Sequence, residues 1–113
     1  MEEKQSFIHE TAKIQGSSIG KVKLFRNVVV NDCQFGDGVS IGDDTNIERS
    51  CLESNVVINR RSYVNDSKIG MFTYAGINTT VNWTSIGRFC SIGRNVDIGG
   101  IDHDYRKLTS MFR

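Results

Sequence analysis

Aliphatic residues recur along this chain in steps of six, six and five. From Phe35 the ladder climbs through Ile41, Ile47, Leu52, Ile58, Val64, Ile69, Ala75, Val81, Ile86 and Ile92 to Ile98. The steps sum to a repeat of 17 residues, so Phe35, Leu52, Ile69 and Ile86 stand in one column. A short fixed period is the signature of a solenoid, in which each turn buries its apolar side against the next. Two positions before each rung stands a small or β-branched residue, from Cys33 and Val39 to Cys90 and Val96. Positions two apart share one face of a strand, so each side of a coil points one small and one large residue inward. One position after the rungs, ten of twelve residues are Gly or Asn, from Gly36 and Gly42 to Gly93 and Gly99. These types tolerate positive φ, and they are expected to turn the corners. The predicted fold is all-β: a single-stranded parallel β-helix, a triangular solenoid of about 17 residues per coil. An amphipathic helix would need apolar spacings of three and four, which steps of six and five do not supply.

Upstream the ladder continues as Ile8, Ile14, Ile19, Leu24 and Val30, with a coil of 16 residues because one is missing between Ile19 and Leu24. The expected organisation is a lead-in over 1–7, the β-helix over 8–100, and a loop or tail leaving the solenoid over 101–113. A net charge of +1 gives no broad electrostatic case for nucleic acid. No run approaches the roughly 20 apolar residues of a membrane span, and no secretory leader is visible, so the expected compartment is the cytoplasm. Cys33 and Cys90 fall at inward positions and Cys51 beside rung Leu52 should point outward, with no zinc or disulfide spacing and no metal expected. His9 follows rung Ile8 and reads as a surface corner residue.

The rhythm breaks once. The next rung of the Phe35 column would be residue 103, which is His103, within Gly99-Gly100-Ile101-Asp102-His103-Asp104-Tyr105. Paired glycines let the backbone leave the prism, and an imidazole follows between two carboxylates. Breaks in local consistency gather at functional sites.

The repeats Ile86-Gly87-Arg88-Phe89-Cys90-Ser91 and Ile92-Gly93-Arg94-Asn95-Val96-Asp97, with His103, Thr109-Ser110 and Phe112 beyond them, resemble the hexapeptide-repeat acyltransferases. Within that family the segment is most similar to the xenobiotic, antibiotic and sugar O-acetyltransferase branch. Gly76 in Tyr74-Ala75-Gly76 stands where the maltose and galactoside branch carries an Asn. The resemblance implies a left-handed coil, acetyl-CoA as acyl donor, and a homotrimer with sites shared between subunits. It also implies a small-molecule, sugar or glycan acceptor and His103 as general base. Asp102, Asp104 or a main-chain carbonyl could orient the imidazole; Tyr105 and Trp83 are candidate acceptor contacts; Arg106, Lys107 and Arg113 could approach CoA phosphates. Family members continue past this loop into further coils that supply most of the CoA site, so an N-terminal portion of such a protein is expected. Two other readings stand beside this one. A non-catalytic β-helix scaffold or assembly module, or an inactive truncated product, would need no loop chemistry. A γ-type carbonic anhydrase would need three zinc-bound histidines, and the chain has two histidines.

Overall fold

The computed structural model describes residues 6–99. Among these residues every strand is two or three residues long, and the strands stack in three parallel sheets that form the sides of a prism. The first side carries six strands (Phe7–Ile8, Lys23–Leu24, Ser40–Ile41, Val57–Ile58, Tyr74–Ala75, Ser91–Ile92). The second carries six three- or two-residue strands from Lys13–Gln15 to Asp97–Ile98. The third carries five, Ser18–Ile19, Gln34–Phe35, Cys51–Leu52, Lys68–Ile69 and Ser85–Ile86. Each strand pairs with the strand three further along the chain, which makes a β-solenoid of about 5 turns.

The register follows the ladder. Ile58 lies between Ile41 and Ala75, and Ile69 lies between Leu52 and Ile86. The first coil pairs Phe7 with Lys23 and Ser18 with Gln34, which is the shortened turn read from the rungs. Pairing begins at Phe7. Rungs from Leu24 to Val81 are buried, as are Ile92 and Ile98, whereas Ile14, Ile19 and Ile86 are half-buried and Ile8 is exposed. The exposure of the first rungs follows from stacking: among the described residues the first coil has a neighbour on one side only. Among the described residues no helix is long and apolar enough to cross a membrane.

The corners differ from expectation. Gly99 apart (φ 75°), the glycines after the rungs, such as Gly36, Gly42, Gly70 and Gly76, do not hold the positive φ. That conformation falls three residues before the next rung, at Gly38, Asp44, Asn55, Arg61, Phe72, Asn78, Phe89 and Asn95 among others. The shortened corner at Lys21 carries no such residue. The post-rung glycines serve close approach instead. A Cβ on Gly42 would stand 2.6 Å from the Arg60 backbone nitrogen, and one on Gly70 would stand 2.7 Å from that of Arg88. In both cases the obstruction is the turn backbone of the next coil. At Gly93, among the described residues, nothing lies within 4 Å of that position. Gly42→Ala is therefore expected to destabilise the protein by about 1–3 kcal/mol, as for an overpacked core. Gly93→Ala should change stability by no more than about 0.5 kcal/mol. Urea unfolding of the two variants side by side checks this, and equal losses would refute the close-approach explanation.

The inward small residues do more than fill space. Thr45 Oγ1 accepts the Ser62 N–H (3.3 Å), and Ser62 Oγ accepts the Thr79 N–H (3.2 Å). On the next side, Ser50 Oγ accepts the Ser67 N–H (3.1 Å) and Ser67 Oγ accepts the Thr84 N–H (3.1 Å). Ser50 and Ser67 donate in turn to the carbonyls of Glu48 and Asn65, both at 2.8 Å. The left-handed residue just before each small residue turns its N–H out of line with the sheet. A buried donor must find a partner, and the hydroxyl of the coil below supplies it.

Candidate functional site: a groove along the third side

Trp83 is the sequence-predicted contact residue that falls within the described part. It stands at the corner between the second and third sides with φ 55°, and the residue is 63% exposed. Its N–H donates to the Asn65 carbonyl (3.0 Å), so the coil below fixes its backbone. His103, Asp102, Asp104 and Tyr105 lie outside the described residues, as do Arg106, Lys107 and Arg113.

Trp83 closes one end of an open groove of about 760 Å³. The corner column beneath it holds Asp66, Arg49 and Asp32, each with positive φ. The outward residues of the third side form the parallel column Ser85, Lys68, Cys51 and Gln34. The 17-residue stacking makes both columns, so residues far apart in sequence are one coil from each other in space.

An ion pair stiffens the middle of the groove. Arg49 Nε donates to Asp66 Oδ1 (2.8 Å), and its Nη2 donates to Asp66 Oδ2 (3.0 Å) and to Asn65 Oδ1 (2.6 Å). A two-pronged guanidinium–carboxylate bond is geometrically specific. It holds the Asp66 carboxyl below the ordinary carboxylate range, chiefly through the hydrogen bond from Arg49. Because the folded pKa is depressed, the pair adds stability above the unfolded Asp pKa of about 3.9 and loses it as pH falls through the folded value. Carboxylate NMR titration should place the Asp66 midpoint below that of a free Asp, and Arg49→Ala should return it upward. An unchanged midpoint in the variant would show that the pair does not form in solution. Lys68 is exposed, and no hydrogen bond or ion pair of its side chain occurs among the described residues.

Two further strained aromatics border the same side. Phe72 (φ 61°) and Phe89 (φ 58°) occupy the corner between the third and first sides. Their rings stack at 5.3 Å and 3° between planes, with 50% and 72% exposed. The third side near its later coils thus runs between Trp83 on one edge and the phenylalanine pair on the other.

The remaining candidates fall as follows. Cys33 is buried, and burial pushes its thiol pKa up. Cys51 and Cys90 are half-buried. His9 accepts the Thr11 N–H at its Nδ1 (3.1 Å) in the first corner. Among the described residues no group of three or more His, Cys, Asp or Glu is placed to hold a metal ion. Sequence reasoning singled out Trp83 and missed Lys68, Arg49 and Asp66. The signal was present: Asp32, Arg49, Asp66 and Trp83 are spaced by the repeat length.

No protein-family model matches the chain, and no curated protein does. Among solved structures, the chain is similar to the acetyltransferase domain of PglB from Neisseria gonorrhoeae FA1090, with a TM-score of 0.58 and 17% identity. The match covers 90% of this chain and 53% of that chain, so the present chain spans about half the length of its structural neighbour. At that identity the likeness is one of fold: the chain shares the β-solenoid architecture on which an acetyltransferase domain is built.

Proposed function

We propose that the chain is an acetyl-CoA-dependent O-acetyltransferase, or the N-terminal part of one, acting on a hydroxyl of a sugar, glycan or antibiotic. In this reading the coil is left-handed, the protein assembles as a homotrimer, and it works in the cytoplasm. The observation that supports it best is the solenoid itself, shared with an acetyltransferase domain and interrupted in sequence by a loop that carries one histidine.

The chemistry asks for such a group. A neutral hydroxyl attacks a thioester carbonyl slowly unless its proton is removed as the C–O bond forms. His103 takes that proton, the C–S bond breaks, and the proton passes to the departing thiolate, leaving an acetyl ester and free CoA thiol. An imidazole titrating near 6.5 suits this exchange at neutral pH. Asp102 or Asp104 orients the ring by holding its other nitrogen. Tyr105 and Trp83 contact the acceptor. Transfer is direct between the two bound substrates, with no covalent enzyme intermediate. The test follows release of CoA thiol from acetyl-CoA in the presence of hydroxyl acceptors, for the chain and for His103→Ala.

A further inference from the structure

We propose that the groove on the third side binds an acidic oligosaccharide, with one sugar ring seated on Trp83 and an anionic group of the glycan held by Lys68. The proposal deepens the acetyl-transfer reading by naming the class of acceptor, and it rests on that reading only for what happens to the glycan once bound.

Trp83 is costly twice over. A bulky residue at positive φ is strained relative to its ordinary backbone conformation. The exposed indole also leaves apolar area in water. Glycine would remove both costs at this corner, as Gly16 does at the equivalent corner of the first coil. No ring contact of Trp83 occurs among the described residues, so its exposed indole is open to a ligand from solution.

The surroundings select the ligand. A sugar ring offers an apolar C–H face and a rim of hydroxyls. Trp83 matches the face, while Ser85 and Gln34 offer polar partners along the same groove. The coils repeat at about 4.8 Å, close to the length of one sugar unit, so the groove repeats in step with an extended glycan. Charge decides the class. Asp66 is spent on Arg49, and Asp32, at the far end, leans over Gly16 of the coil below. Of the two cations that line the groove, Arg49 is paired and Lys68, one coil below Ser85, has no side-chain partner among the described residues.

Trp83 is the only tryptophan in the chain, so its fluorescence reports on this position alone. Titration of the full chain with tetragalacturonate should give a saturable change in emission, and maltotetraose, equal in length but neutral, should bind at least about fivefold more weakly. By calorimetry, Lys68→Ala should weaken tetragalacturonate binding by about tenfold or more, as expected for a lost charge-assisted hydrogen bond. Trp83→Gly should abolish binding with an unchanged or raised Tm, and Trp83→Phe should retain it. Absence of saturable binding to the wild type overturns the proposal. So does undiminished binding in Trp83→Gly, equal affinity for the two tetrasaccharides, or a Trp83→Gly variant that unfolds, since that assigns the indole a structural role. Binding is measured without acetyl-CoA, so its failure refutes the groove alone, whereas the His103→Ala comparison tests the transfer reading alone.

Discussion

His103→Ala is expected to lower the rate of acetyl transfer by about 10²–10⁴-fold, the range that a positioned general base contributes. The loss should appear mainly in kcat, because the imidazole acts on the proton of the attacking hydroxyl and not on either substrate's resting contacts. In the wild type, kcat/KM should rise with pH through the imidazole range near 6.5 and then level off, because only the neutral ring accepts a proton. The variant should lack that limb. Equal rates in the two proteins would remove His103 from the reaction. A wild type with no thiol release under any acceptor would favour the non-catalytic scaffold reading over acetyl transfer by this chain.

The second large effect concerns stability. Ile58 is fully buried in the middle of the first side, between Ile41 and Ala75. Truncation to Ala opens a cavity that is continuous with a position already small, and solenoid backbone has little freedom to collapse into it. Ile58→Ala should cost about 2–5 kcal/mol, against about 0.5–1.5 kcal/mol for Ile58→Val. In a stack where each coil touches only its neighbours, weakening one central coil also uncouples the two halves. Urea unfolding of the variant should show a lower midpoint and a shallower slope, which signals lost cooperativity. The milder Val variant keeps the comparison readable should the Ala variant fail to fold. A midpoint unchanged in both would mean that the first side is not the buried seam described here.

Some of the chemistry was readable only in part. The burial of Thr45, Ser50, Ser62, Ser67, Thr73 and Thr79 follows from their positions two before a rung. The bonds that Thr45, Ser50, Ser62, Ser67 and Thr73 accept from the N–H of the residue 17 further along do not, because those depend on which way a corner turns its amide. The corner itself was misread because two needs share one composition. Gly42 and Gly70 suit close approach, yet glycine and asparagine also signal positive φ, and the nearer explanation concealed the other. The residues that do hold positive φ include Arg49, Arg61, Phe72, Trp83 and Phe89, types that carry no turn signature. Stacking of the coils overrides their local preference: each corner must close for both neighbouring sheets to keep their register.

The amino-acid sequence alone determined the number of sides, the coil length, the shortened first turn and the inward rows, since a period-two strand pattern on a 17-residue repeat has one way to bury its rungs. Only the tertiary structure decided which outward residues meet. Arg49, Asp66, Lys68 and Trp83 belong to three successive coils, and nothing in local propensity joins them. They come together because parallel stacking places every seventeenth residue about 4.8 Å from the last, so surface chemistry in this fold is written across the coils and not along the chain.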